Sequence, residues 1–152
     1  MPKFSTTRRV QHSASEMFDL VADVEKYPSF VPLCQALTVR RRTEGEGGTQ
    51  ILIAGMTVAY KLLRETFTSR VTLDRSNLEI HVTYLDGPFS RMENRWKFTP
   101  KGEDSCDVQF AIDYEFKSRV LAMMMGAMFD AAFRRFSAAF EARADEVYGK
   151  RA

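Results

Sequence analysis

The chain has 152 residues, with 22 basic and 20 acidic side chains and a formal net charge of +2. That is the length of one ordinary domain with a real core, read here as a single domain over residues 1–152. The charge balance excludes a dedicated DNA binder while leaving room for a local basic patch. Cys34 and Cys106 lie far apart with no CxxC, so neither a redox pair nor a zinc-type spacing is present and a reducing compartment is expected.

The first element, Lys3 to Gln11, alternates around Phe4 and Val10 and predicts a strand. The segment Met1–Ser5 lacks the apolar run of a signal peptide. No stretch of the chain approaches the roughly 18 apolar residues of a membrane span, so the expected location is the cytoplasm. Ser13 followed by Glu16 predicts a capping box, opening a helix that carries Met17, Phe18, Leu20 and Val21. Pro28 and Pro32 then prevent a long regular helix, yet the segment holds Tyr27, Phe30, Val31 and Leu33. An irregular apolar segment must pack on something, and the rim of a pocket is one place for it.

Ala36 to Arg42 predicts a strand, Glu44 to Gly48 a turn, and Thr49 to Val58 a second strand. The glycines of that turn are no phosphate loop, because a strand follows them. Tyr60 to Leu73 continues in the extended state, with Glu65, Phe67, Ser69, Val71 and Leu73 on one face. Leu78, Ile80, Val82 and Tyr84 alternate with polar residues, then Met92, Asn94, Trp96 and Phe98, then Cys106, Val108, Phe110, Ile112, Tyr114 and Phe116. Short turns between such strands join antiparallel neighbours, which gives a meander with one wet and one dry face.

The dry face needs a cover. Lys117 to about Gly149 supplies it, with apolar residues from Leu121 to Val147 at steps of three or four. From Val120 to Phe129 no residue is charged, and the stretch is rich in methionine, which suits surfaces of variable shape. This half is either plain core or the roof of a cavity for an apolar ligand. The order of elements predicts an α+β domain in which a curved sheet grips a helix. Tyr27–Leu33 and Leu85–Phe89 are expected to frame the cavity mouth near one end of that helix.

Catalytic signals are weak. His12 and His81 are the only histidines, and HExxH, GxSxG and clustered Cys/His pairs are missing, so neither catalysis nor a metal site is expected. Arg40-Arg41-Arg42 reads as a solvated strand edge or as a contact for phosphate or anionic lipid. Glu65, Ser69 and Asn94 are polar residues on dry faces, which either pair internally or face a ligand.

Several local patterns coincide: Leu20 to Cys34 around Tyr27-Pro28, Glu65 to Val71, Asp86-Gly87-Pro88-Phe89, Trp96-Lys97-Phe98, Tyr114 to Lys117, and Ala139 to Ala144. Together they resemble the coenzyme Q-binding family of START-like, polyketide-cyclase-type helix-grip domains, whose bacterial members are also described as ribosome-association toxins. The resemblance implies non-catalytic binding of ubiquinone (coenzyme Q), with no cofactor required, by a carrier or chaperone supporting respiratory electron transport. Peripheral contact with the inner membrane would accompany that role. The alternatives it implies are a toxin that contacts the large ribosomal subunit and blocks subunit joining, and a cyclase or lipid-modifying enzyme. For a quinone, the tail is expected along Met124, Met125, Met128, Phe129 and Phe133, with Phe67 and Tyr84 opposite. Tyr84 and Asn94 would be donors to the head group, and Phe30, Val31, Leu33 and Phe89 would stand at the entrance.

Overall fold

The computed structural model describes residues 3–60 and 62–150. Strand β1 (Lys3–Val10) leads into helix α1 (Ala14–Ala22) and a 3-10 turn over Val24–Ser29. Six strands follow: β2 (Cys34–Glu44), β3 (Gln50–Tyr60), β4 (Leu63–Asp74), β5 (Glu79–Asp86), β6 (Phe89–Gly102) and β7 (Ser105–Phe116). Helix α2 (Arg119–Tyr148) ends the order. The strands form one antiparallel sheet in the order β1-β7-β6-β5-β4-β3-β2, so the meander is as predicted and β1 docks on its last strand.

Local chemistry sets the boundaries. Ser13 Oγ accepts from the Glu16 amide at 3.1 Å, and the Glu16 carboxylate accepts from the Ser13 amide at 3.0 Å. Such a cap is worth about 1 kcal/mol to its helix. Ser118 caps α2 in the same way, accepting from the Leu121 amide at 3.1 Å, and Gly149 at φ 86° ends it. Along β6 and β7 the buried residues Met92, Asn94, Trp96, Phe98, Val108, Phe110, Ile112 and Tyr114 alternate with outward ones, which is the period of two in a half-covered strand.

Three expectations need correction. The extended run expected from Tyr60 to Leu73 is broken near its start: Tyr60 is the last residue of β3 and pairs with Leu63, the first of β4, across a hairpin whose Leu62 is fully exposed; Lys61 lies outside the described residues. Arg91 and Asp107, which the alternation of β6 and β7 turns to the wet face and so into solvent, are half-buried. Arg91 reaches Asp113 at 2.7 Å, and β1 brings Arg9 onto Asp107. Phe136 is half-buried, whereas Trp96, Phe110, Tyr114 and Phe129 are buried as expected.

The core centres on aromatic rings. Trp96 lies 4.7 Å from Phe110 and 5.0 Å from Phe140, centroid to centroid. Each fully buried ring of this kind contributes roughly 1.5–3 kcal/mol. Helix α2 rests mainly on β1, β7 and α1. Its second half is tied down by Arg8 to Glu141 at 2.6 Å, His12 Nε2 to Asp145 at 2.7 Å, and the Tyr148 hydroxyl donating to the Glu16 carbonyl at 3.1 Å. Val120, Met123 and Met124 in its first half are exposed.

Candidate functional site

Because α2 leans toward β7 and β1, it does not fill the concavity over the middle strands. A cavity of about 100 Å³ remains there. Ala54, Met56, Phe67, Val71, Val82, Met92 and Ile112 line it from the sheet. Phe129, Ala132, Phe133 and Phe136 line it from α2, and Tyr27 and Leu33 from the segment after α1.

The lining is apolar apart from four side chains: Tyr27, Ser69, Asn94 and Trp96. Three of these have partners. The Tyr27 hydroxyl donates to the Val21 carbonyl, and burial pushes its pKa up. The Trp96 indole donates to Asn94 Oδ1 at 3.1 Å, and Asn94 Nδ2 donates to the Ala111 carbonyl at 2.9 Å. The Ser69 hydroxyl, on a residue only 5% exposed, has no partner among the described residues. No carboxylate, histidine, lysine, arginine or cysteine is among the described lining residues.

A second hollow of about 590 Å³ opens beside the first, between α2 and the β3–β4 hairpin. Its walls are Tyr60, Leu62 and Leu63 on one side and Met124, Ala127, Met128, Ala131 and Arg135 on the other. Pro32, Leu33 and Ala132 line both hollows and so form the wall between them. Leu33 holds φ at 67°, a left-handed conformation that costs a non-glycine residue energy and is concentrated at ligand sites.

The predicted residues divide. Leu33, Phe67, Phe89, Asn94, Phe129 and Phe133 meet in the cavity, while Met124 and Met128 line the cleft. Phe30, Val31, Tyr84 and Met125 line neither. Phe30 packs edge-on against Phe140 at 5.1 Å, and Val31 and Met125 are buried in the core. The Tyr84 hydroxyl accepts from the Phe89 amide at 3.1 Å, holding a turn, and burial pushes its pKa up.

That turn does not frame the mouth as expected. Gly87, at φ 145°, presses its backbone on Phe67, where a β-carbon would lie 2.5 Å from Phe67 Cβ. Phe89 is driven inward among Phe67, Tyr84, Tyr114, Phe116 and Phe129. The β3–β4 hairpin takes the place opposite Pro32 and Leu33 instead.

Sequence reasoning missed Ala54, Met56 and Val58 on β3. Their strand does not alternate cleanly, because Gly55 is buried beneath Arg40 and the outward Ile51 and Ile53 are half-covered. Ser69 did carry a signal, as a hydroxyl in an apolar row.

Residues 10–141 match the family model described as polyketide cyclase/dehydrase and lipid transport. The ribosome association toxin RatA of Escherichia coli K12 is 35% identical over 151 residues, covering 99% of this chain and 92% of that one. The mitochondrial coenzyme Q-binding protein COQ10 homolog B of Xenopus laevis is 28% identical over 97% of this chain and 60% of its own length. Among solved structures, the 18 kDa protein CC1736 of Caulobacter crescentus superposes with a TM-score of 0.78 at 36% identity, over 98% of this chain and 99% of that one. A START superfamily protein of Mycobacterium smegmatis gives 0.78 at 23% identity, over 95% and 98% of the two chains. The Zhui aromatase/cyclase of Streptomyces gives 0.76 at 19% identity, over 95% and 93%. The last two share the fold.

Proposed function

Because the chain belongs to the polyketide cyclase/dehydrase and lipid transport family and has its START-type fold, we propose that it binds, without transforming, a neutral ligand with a long apolar tail. The class is that of isoprenoid quinones, ubiquinone first, and the role is that of a carrier. The observation that carries this reading is the Ser69 hydroxyl, buried and unpartnered in an otherwise apolar cavity. A buried hydroxyl left alone costs about 1–3 kcal/mol, and a ligand carbonyl would remove that cost. A charged ligand would lack a counter-ion there.

The inner cavity alone, about 100 Å³, is below the range of roughly 300–1,000 Å³ usual for small-molecule sites. The reading therefore uses both hollows: the head reaches past Leu33 and Ala132 toward Ser69, and the tail lies in the cleft against Met124 and Met128. Tail burial is worth about 25 cal/mol per Å² before association costs. Catalysis has little to work with, since general acid–base chemistry needs a titratable pair at the ligand and the lining offers none. Leu62, Val120, Met123 and Met124, exposed around the cleft, are suited to peripheral contact with a membrane during loading.

Mass spectrometry of an organic extract of the purified protein tests the ligand class, with a quinone expected. Titration with a short-tailed quinone tests the site. Ser69→Ala should weaken binding about five- to tenfold, the scale of one hydrogen bond. The unliganded variant should be no less stable, because the hydroxyl it loses has no partner. Equal affinity in both proteins, or an extract free of quinone and of any lipid, would count against the reading.

A second reading is association with the ribosome, in line with the printed name of the Escherichia coli relative. It is favoured by unpaired arginines on the outside of the sheet. Here the contact would be with the large subunit, and it would leave the cavity free.

A further inference from the structure

Arginines on this protein mostly find carboxylates: Arg8, Arg9, Arg42, Arg75, Arg91, Arg95, Arg134 and Arg143 each have one within 4.0 Å. Arg119 and Arg135 on α2, and Arg40, Arg41, Arg64 and Arg70 on the sheet, are exposed and make no ion pair among the described residues. The four on the sheet share the outer face of β2, β3 and β4.

The backbone groups them. The register of β2 on β3 shifts between Val39, opposite Ala54, and Arg41, opposite Ile53. The extra residue at this bulge sends two consecutive arginines to the same side. Arg40 lies over Gly55, where even a β-carbon would approach its Nη2 to 3.2 Å. On β4, Arg70 pairs with Ile53 and Arg64 with Ala59. Arg41 and Arg70 thus flank Ile53 two strand spacings apart, about 10 Å, and Arg64 stands about 20 Å further along β4. Hydroxyls fill the ground between them: Thr38 and Thr68 beside Gly55, and Thr57 with Thr66, their oxygens 2.8 Å apart. The nearest acids stand at the border. Asp86 is opposite Thr68, and Glu93 is engaged with His81 and Arg95.

We propose that this face binds the phosphate backbone of RNA through Arg40, Arg41, Arg64 and Arg70. The proposal rests on the ribosome reading above and gives it a location. Arg40, Arg41 and Arg70, grouped around Ile53 without carboxylates, repel one another, so the grouping does nothing for the fold; a polyanion would relieve it, and Arg64 further along β4 extends the track. Arginine forks match phosphate oxygens, and hydroxyls suit phosphate and 2′-OH groups. A bilayer fits less well. Of the exposed apolar side chains that it would take up, Met123 and Met124 lie on α2, on the other side of the sheet, and Leu62 at the hairpin tip neighbours Arg64 alone, not Arg40, Arg41 or Arg70.

The test uses the full chain, a labelled RNA duplex, purified large ribosomal subunits and phosphatidylglycerol vesicles, each titrated over a range of salt. RNA affinity should fall steeply with salt, and Arg64→Gln with Arg70→Gln should lower the log–log slope by about two. Quinone binding and thermal stability should not change, since these side chains stand in solvent. An unchanged slope, no RNA binding at low salt, or arginine-dependent binding to vesicles alone would overturn the proposal. Subunit binding that survives removal of all four arginines would overturn this face and leave the ribosome reading standing. Arginine-dependent duplex binding without subunit binding would support the face and remove the ribosome.

Discussion

The Trp96 indole N–H donates to Asn94 Oδ1 at 3.1 Å, and Asn94 Nδ2 passes the chain on to the Ala111 carbonyl at 2.9 Å. An amide that reads from sequence as a ligand donor is therefore engaged at both ends by the protein. Asn94→Leu strips partners from a buried indole N–H and from a strand carbonyl. The expected loss is about 2 kcal/mol or more of unfolding free energy, measured by urea titration. Where the variant remains folded, its quinone affinity should change less than that of Ser69→Ala.

Met128 is half-buried on the wall of the cleft, close to solvent. Met128→Asp places a charge where an apolar tail would lie, while the carboxylate can still turn to water. Circular dichroism should show a folded protein. Copurifying long-tailed lipid should drop at least tenfold, because an unpaired charge against hydrocarbon is costly. Full retention of that lipid would mean the tail runs elsewhere.

Gly87→Ala tests the inward turn. Its φ of 145° disfavours any side chain, and the added carbon would meet Phe67 Cβ at 2.5 Å. A strained conformation of this kind costs on the order of 1–3 kcal/mol before the clash is counted. The expected result is a lower melting temperature together with weaker ligand binding, since Phe67 and Phe89 both line the cavity.

The two thiols set an alkaline limit. Burial pushes Cys34 and Cys106 from the usual 9.0 up to about 11. The folded state thus favours the neutral thiol. Stability from this source is complete below about pH 9, where the unfolded thiol begins to ionise, and declines as pH rises toward about 11. Urea midpoints should fall across that window. Alkylation of the native protein at pH 8 should be far slower than in urea, since the thiolate is the reactive form.

Much of the fold is legible in the chain because a strand has a period of two and hides one face. Trp96, Phe110 and Tyr114 declare the dry side of β6 and β7, and Ser13 with Glu16 marks the start of α1. The site is less legible, and α2 is the reason. A helix that is apolar all round from Val120 to Phe129 has no single stripe. Nothing local says that Met125 enters the core while Met123 and Met124 face out. That choice follows from the tilt of α2 toward β7, a property of the assembled sheet. The place of Tyr84 is hidden for a similar reason. Its hydroxyl serves a backbone amide five residues on, at Phe89, and this depends on how the turn between them folds.

The polar ties of α2 to β1 and α1 lie toward its end, at Glu141, Asp145 and Tyr148, while its first half is held by the apolar contacts of Met125 and Phe129. A beam clamped at one end has its greatest travel at the other. Backbone amide hydrogens between Leu121 and Met128 should therefore exchange with deuterium well before those between Phe136 and Ala144. Filling of the cleft should slow the first group and leave the second as it was. Ligand uptake through the cleft, where it occurs, should then track the exchange of this half of the helix and not that of the half held by His12 and Asp145.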